Sequence, residues 1–451
     1  MALQNRSPSR KQTHLALTAL LVLETIPLTC DATHGALKNT EWKPVCELAK
    51  ELQKVPRLSI HTLQQMITAA SNCAKLVSKL QLYATKNWQA ESAITIGALA
   101  VALKRKAESI NSELFTAVQL SIQRSTTTAT LRGQILETMK VLGTVGNDGT
   151  RAFCLGDGTA ANSEHTKLKQ AGCHAESWDV GNSPDAPTTT VISDTGFPNL
   201  PKTIGDLGSS HGNTKCGYFT AGADHQTARI TGSTVPLLAG LWTVTSTETV
   251  TPTAATNLKG DGTRNSNDLV KAAHFDAVAA RMLDTSSYTT DELQLIKNAA
   301  AKNTLRPILS EMLMLTKKKT ATTEADREAE RLIEANVPQT GNKIQELWNA
   351  IKTEKVIGKA KDSKEETAIF TLADSATIHQ NLVFYQNKIT TDLLETKTEN
   401  AQLKKADKIT TKIPEEVCNS IGDANETGCG KTTGCHFVSS NSEGKKCTLT
   451  K

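Results

Sequence analysis

Ten cysteines constrain this chain more than any other feature. Cys30, Cys46, Cys73, Cys154, Cys173 and Cys216 fall in the first half. Cys418, Cys429, Cys435 and Cys447 crowd the last stretch, and Gly217 to Val417 has none. Clusters of this kind behind an export signal imply an oxidising compartment and at least two separately stapled units.

The export signal is legible at the N-terminus. Arg6, Arg10 and Lys11 form a positive region, and Leu15 to Leu23 (LALTALLVL) an apolar core, too short to span a bilayer as a helix. Glu24 and Pro27 end it. Cys30-Asp31-Ala32 supplies a small-x-small cleavage site, with Ala36 a second candidate. Cleavage after Ala32 removes three positive and two negative charges, so the formal charge of +5 becomes +4, close to neutral for this length. No basic patch points to nucleic acid, and no later segment is apolar enough to cross a membrane.

Aromatic residues make up only 4% of the chain. A long chain with so few rings buries apolar surface along helix seams rather than in one thick core. Leu63, Met66, Ala70, Cys73, Val77, Leu80 and Ala84 follow one another at alternating intervals of 3 and 4, a heptad seam. After a turn near Asn87 the same spacing resumes in Ile96, Leu99, Leu103, Ile110, Leu114 and Ala117 and extends to Leu131, Ile135 and Leu142. Two such helices pack as an antiparallel hairpin, since neither buries its stripe alone. At roughly 75 Å for about 50 residues, the hairpin predicts a coiled-coil rod, in a fold that is mainly α.

The chain divides accordingly. Residues 1–32 read as the signal and 33–400 as one domain: the hairpin over about 45–143, a loop-rich lobe over about 144–265 and a helical remainder over about 266–400. The lobe is rich in glycine, proline, threonine and serine, with Leu241 to Val250 as a strand candidate. The remainder predicts helices over Asn267 to Leu315, Glu324 to Lys352 and Asp374 to Leu403. Residues 401–416 read as a charged linker, and 417–451 as a four-cysteine domain too small to fold without staples.

Several motifs resemble chemistry and fall short of it. Gly428-Cys429-Gly430-Lys431-Thr432-Thr433 resembles the end of a phosphate loop, but the glycine required five residues before Gly430 is Asn425. It reads as a disulfide-flanked turn. His211, Cys216 and His225 match no compact zinc spacing. Lys317 to Lys319 read as a solvated helix end. There is no G-x-S-x-G and no H-E-x-x-H, so the chain reads as neither an enzyme nor a cofactor or metal protein. Asn425-Glu426-Thr427 is a sequon that predicts N-glycosylation of Asn425; a second sequon, Asn5-Arg6-Ser7, lies in the signal. With Cys30 removed, five cysteines remain in the larger domain. Cys73 sits on the seam, where a thiol acts as a small hydrophobe, so it reads as the unpaired one. A bridge from Cys73 to a lobe cysteine is the alternative.

Taken in order, these features resemble the variant surface glycoproteins of African trypanosomes, with a class A N-terminal domain. The carriers are Gly35-Ala36-Leu37-Lys38, then Trp42-Lys43-Pro44-Val45-Cys46, the long hairpin, Cys154 in the following glycine-rich segment, Cys173 and Cys216, and the linker and four-cysteine unit. The resemblance implies bridges Cys46 to Cys154 and Cys173 to Cys216. Cys418, Cys429, Cys435 and Cys447 also pair, with three connectivities open. It further implies a homodimer along the hairpins resting on Leu99, Leu103 and Ile110, so Leu103→Asp is expected to disrupt assembly or folding. The implied function is a dense coat at the cell surface, in the outer leaflet of the plasma membrane, with neighbouring coat molecules and host antibodies as partners. Exchange of one version for another with different loops gives antigenic variation. The family carries a glycosylphosphatidylinositol (GPI) anchor at its C-terminus. This sequence stops at Lys451 before any such signal, and the expectation is that it is incomplete there; the alternative on that point is a copy that is not anchored and is secreted. The alternative is a receptor for a host macromolecule on the same scaffold, like the trypanosome transferrin receptor.

Overall fold

A computed structural model describes residues 35–145, 153–157, 165–174, 179–205, 216, 234–244, 250–283, 285–316, 321–357, 366–410 and 414–449. The predicted signal and its cleavage site, residues 1–32, lie outside this set. The chain is mostly helical. In order come α1 (Asn39–Leu52), α2 (Lys54–Lys86), α3 (Ser92–Leu142), β1 (Val235–Leu237), β2 (Trp242–Val244), β3 (Val250–Pro252), α4 (Leu269–Arg281), α5 (Glu292–Ala299), α6 (Lys302–Leu315), α7 (Thr322–Asn336), α8 (Lys343–Thr353), β4 (Lys355–Ile357), β5 (Glu366–Ala368), α9 (Ser375–Thr410), α10 (Pro414–Asn419), α11 (Glu426–Lys431), β6 (Cys435–Phe437) and β7 (Cys447–Leu449). No described helix is long and apolar enough to cross a membrane.

The seam spacing becomes two helices. On α2, Met66, Ala70, Cys73 and Leu80 are buried; on α3, Ile96, Leu99, Leu103, Ile110, Leu131, Ile135 and Leu142 are. The turn falls after Asn87, whose backbone N–H and side-chain amide both donate to the Tyr83 carbonyl. Gly133 leaves α3 unbroken. So does the run from Thr126 to Thr130, because Thr126, Thr128 and Thr130 return their hydroxyls to carbonyls one turn back at 2.8, 2.7 and 2.7 Å.

The fold separates into two compact units, Met1–Thr62 with Val118–Leu283, and Leu63–Ala117 with Asp284–Lys451. In the first, Trp42, Val45, Leu48 and Leu52 of α1 pack with Leu131, Ile135 and Met139 of α3 and with lobe residues such as Ile192, Phe197 and Trp242. The sheet there is antiparallel in the order β1-β2-β3, with Leu237 opposite Trp242 and Val244 opposite Val250. The expected strand from Leu241 to Val250 is therefore the end of one hairpin and the start of another. The lobe segment around Phe197 is docked on α4. There His274 hydrogen-bonds through Nε2 to the Ser193 carbonyl at 2.9 Å and meets Phe197 edge to face at 5.5 Å. Arg281 donates to the Ile192 carbonyl at 2.6 Å and pairs with Asp194. Gly196 is obligatory, since a Cβ there would lie 2.2 Å from the Ala255 carbonyl oxygen. A buried carboxylate, Asp276, is satisfied by Arg264 at 2.9 Å and by the Thr127 hydroxyl at 2.6 Å.

In the second unit, Cys73, Leu76 and Leu80 of α2 share one core with Ile96, Leu99 and Leu103 of α3, Ile296 of α5, Leu305 and Leu309 of α6, Leu332 of α7 and Trp348 of α8. Ile110 packs separately with Met66, Ala69 and Ala70. This corrects the dimer assignment. Leu99, Leu103 and Ile110 are 0, 1 and 0% exposed inside a single chain, so no partner chain reaches them. Lys79 is carried into the same unit with its ammonium 4.1 Å from the Phe370 ring centre and donating to the Phe370 carbonyl, and burial lowers its pKa.

Three further expectations change. The helical run predicted from Asn267 to Leu315 is three helices: Asp268 caps the first, Asp291 caps a new start at α5 by accepting from the Gln294 backbone N–H, and α6 starts again after Ala301 without a side-chain cap. The run from Glu324 to Lys352 is α7 and α8, parted where Pro338 precedes Gly341 in a left-handed conformation, φ +79°. The linker 401–416 is not unstructured throughout, since α9 runs to Thr410 and α10 begins at Pro414. Ala, Gln, Leu and Lys of Ala401 to Ala406 favour helix without forming a repeating apolar stripe, which is why periodicity missed it.

His274 makes unit one sensitive to pH. Its Nδ1 is buried without a partner. Burial, aided by the Arg281 charge, holds its pKa below the ordinary imidazole value against the opposing effects of the Ser193 carbonyl and Asp194. The folded state thus keeps it neutral, while the unfolded chain takes up a proton near about pH 6.5. The stabilisation is complete above that pH and is lost as pH falls from it toward the lower folded-state value. Between about pH 7.5 and about pH 5.5, either side of the free imidazole value, the denaturant midpoint should fall more for the native chain than for His274→Gln. Equal falls would remove His274 from the account.

Candidate functional site: the disulfide staples and the Asn425 sequon

The chain start is held by backbone before it is held by sulfur. Leu37 donates to the Cys154 carbonyl at 2.9 Å, and Gly156 returns a bond to the Leu37 carbonyl at 2.8 Å, forming a parallel bridge between Leu37 and Leu155. The buried Trp42 adds an indole N–H to the Gly156 carbonyl at 2.8 Å. This contact places Cys154 beside Leu37, while Cys46 lies on α1 about 10 Å further on at 1.5 Å per helical residue. A disulfide requires Cα atoms within roughly 7 Å.

The expected bridges, Cys46 to Cys154 and Cys173 to Cys216, are therefore replaced. Cys46 bonds Cys173 with Cα atoms 4.9 Å apart, and Cys154 bonds Cys216 at 4.4 Å. What brings Cys173 to α1 is Gly172. Its φ is +91°, and a Cβ there would sit 3.0 Å from the Cys46 carbonyl oxygen and 3.2 Å from the Lys50 Cβ. Only glycine permits that approach without strain. The signal was present in the sequence as Gly172-Cys173, but a glycine before a cysteine does not say which segment it will touch. Among the described residues Cys73 is the free cysteine, buried, with its thiol pKa raised by burial against the lowering effect of Lys106.

At the other end, Cys418 bonds Cys435 and Cys429 bonds Cys447, with Cα separations of 5.5 and 5.7 Å. These choose one of the three connectivities left open. Cys418, Cys429 and Cys447 are themselves the buried core, with Ile421, Phe437 and Leu449 packed around them. A hairpin of β6 and β7 pairs Cys435 with Leu449 and Phe437 with Cys447. Asp423 accepts from the Lys446 backbone N–H at 2.9 Å and from that of Gly444, and these bonds hold its carboxyl below the usual range.

Asn425 is exposed at the N-cap of α11, and its Oδ1 accepts from the Gly428 backbone N–H at 2.9 Å. That bond turns the carbonyl end of the amide inward. The same geometry disposes of the phosphate-loop likeness: Gly428 to Lys431 form part of a six-residue helix whose Cys429 is buried in a disulfide. Of the three residues considered for zinc, Cys216 is bonded to Cys154, and His211 and His225 lie outside the described residues, as do Lys317 to Lys319. Among the described residues no group of three or more His, Cys, Asp or Glu is placed to hold a metal ion. Sequence reading also passed over two large apolar residues on α3 that face solvent, Phe115 at 70% exposure and Ile122 at 62%. Their seven-residue spacing was the available signal.

Comparison with known proteins gives one consistent result. The family model described as trypanosome variant surface glycoprotein (A-type) matches residues 18–386. Variant surface glycoproteins ILTAT 1.24 and MITAT 1.1 of Trypanosoma brucei brucei are each 24% identical to this chain. The first similarity covers 96% of this chain and 84% of the relative, the second 97% and 89%. The solved structure of MITat 1.1 covers 82% of this chain and 100% of its own, with 21% identity and a TM-score of 0.62, which is a likeness of fold. A match over that span shows the family: this chain belongs to the A-type variant surface glycoproteins of trypanosomes.

Proposed function

We propose that this chain is a unit of a dense protein coat on the parasite surface, shielding other surface proteins from host antibody and exchanged for other versions in antigenic variation. The observation that carries the reading is the family match over residues 18–386. The distribution of burial supports it. The long helices and their cores hold the fold, whereas most residues of the described loop 179–205 are exposed or half-buried, with Ile192 and Phe197 as its deep anchors. Substitutions elsewhere on such a loop cost little stability, so its antigenic surface is free to vary. The coat role is physical rather than catalytic.

Homodimerisation belongs to the same reading, with a surface different from the one the seam suggested. Phe115 and Ile122 point outward from α3, and along the same outward stripe Thr126, Ala129 and Gly133 are small. Exposed aromatic and β-branched residues followed by small ones suit close packing of a second helix. Attachment to the outer leaflet through a GPI anchor beyond Lys451 and an N-linked glycan on Asn425 complete the proposal. The glycan is favoured by the exposed position of Asn425 and by the Oδ1 bond to Gly428.

Antibodies raised against the folded chain should stain intact, unpermeabilised parasites expressing it, with phospholipase C releasing the stain. Stain confined to permeabilised cells would end the coat reading. Ile122→Asp should give a folded monomer by light scattering at native melting temperature, whereas Leu103→Ala should keep the dimer and cost about 2–5 kcal/mol of stability. A dimer unaffected by Ile122→Asp would move the interface elsewhere. The Asn425→Gln chain should lose the mass of one glycan; an unchanged mass would show the sequon unused.

A further inference from the structure

From Thr390 to Lys404 of α9 every residue is exposed, so this stretch has no cover among the described residues of its own chain. It lies beyond residue 386, where the family match ends. Most helical stability in proteins comes from packing an apolar face, and an isolated stretch this short is marginal in water. Its apolar residues are nevertheless ordered. Ile389, Leu393, Thr396, Asn400 and Leu403 follow one another at intervals of 4, 3, 4 and 3, an unbroken heptad seam. Leu393 and Leu403 are 46 and 63% exposed. Thr396 has its hydroxyl satisfied by the Asp392 carbonyl at 2.8 Å, so it brings no unmet donor to the seam.

The charges beside the seam choose its partner. The spacing puts Leu393 and Asn400 at heptad position a, and Ile389, Thr396 and Leu403 at d. Asp392 and Glu399 then occupy g, and Lys397 and Lys404 occupy e. In a parallel pair of identical helices each g faces the e five residues on in the other copy. Asp392 meets Lys397 of a second copy, Glu399 meets Lys404, and both contacts occur twice. An antiparallel pair sets acid against acid and lysine against lysine. Within its own helix Lys397 has only Leu393, Leu394, Asn400 and Ala401 three and four residues away, so no charge there pairs with it. A single asparagine at a also fixes register in a parallel dimer. We propose that α9 over Ile389 to Leu403 pairs with the same segment of a second copy as a parallel, in-register coiled coil. This rests on the homodimer reading and deepens it with a second contact, separate from Phe115 and Ile122. Five layers are too few to hold two chains by themselves; in chains already paired, the segments meet at high effective concentration. The two four-cysteine units then follow one shared stem.

Cysteine cross-linking of the whole chain tests the seam, with light scattering on each variant to report the dimer itself. Leu403→Cys puts a thiol at one end of the seam, where only a parallel, in-register pair brings like residues together. Thr398→Cys puts one on the far face of the same helix. Under mild oxidation the first chain should form disulfide-linked dimer about tenfold faster than the second or more, because only seam positions approach within disulfide reach. Equal rates in chains that are dimeric by light scattering overturn the seam and leave the homodimer standing. Monomers throughout overturn both. A second readout uses charge alone, at positions that are all exposed, so the fold does not depend on them. Lys397→Glu with Lys404→Glu turns four attractive contacts repulsive and should weaken the dimer by about tenfold or more in sedimentation equilibrium. Adding Asp392→Lys and Glu399→Lys to the same chain should restore it. Dimer affinity unchanged by the first pair of substitutions, or not restored by the second, overturns the proposal.

Discussion

A helix of 51 residues cannot bury its own apolar stripe, and everything else in this structure follows from how α3 finds cover. Part of it shares a core with α2 through Cys73, Leu76, Leu80, Ile96, Leu99 and Leu103. Another part packs with α1 and the lobe through Leu131, Ile135 and Met139. Because α5 to α8 then close over the α2–α3 seam, the residues that look most like an intermolecular coiled coil are interior to one chain. Two large apolar residues of the same helix, Phe115 and Ile122, stand in solvent instead.

Where helices end, sulfur and special backbone replace apolar area. The C-terminal unit has three cystine sulfurs' worth of core and little else, as expected for a segment of that size. In unit one, Gly172 and Gly196 let backbone lie against backbone, and the staples Cys46–Cys173 and Cys154–Cys216 hold what those contacts arrange. The lobe is thus fastened at a few points, among them His274 and Arg281, with exposed chain between them. This division suits a protein whose surface changes while its frame persists.

The seam was legible because heptad spacing is a local property, readable at Leu63 to Ala84 and Ile96 to Leu142 with no knowledge of partners. Helix boundaries in the later half were less so: Asp268, Asp291, Pro338 and Gly341 carried the signals, but a continuous apolar pattern concealed them. The extension of α9 beyond Leu403 left no periodic trace because the helix already has no buried stripe from Thr390 to Lys404, where every residue is exposed.

By itself, then, the sequence determined the mainly helical architecture and the kinship to variant surface glycoproteins, since each rests on order and spacing along the chain. Only the tertiary structure decided which cysteine meets which, and that the α3 seam is covered by its own chain. Those depend on the approach of segments that are not neighbours in sequence, Cys46 and Cys173 at a separation of 127 being the widest of the disulfides. Such an approach is set by the packing of the whole unit, which no local pattern encodes.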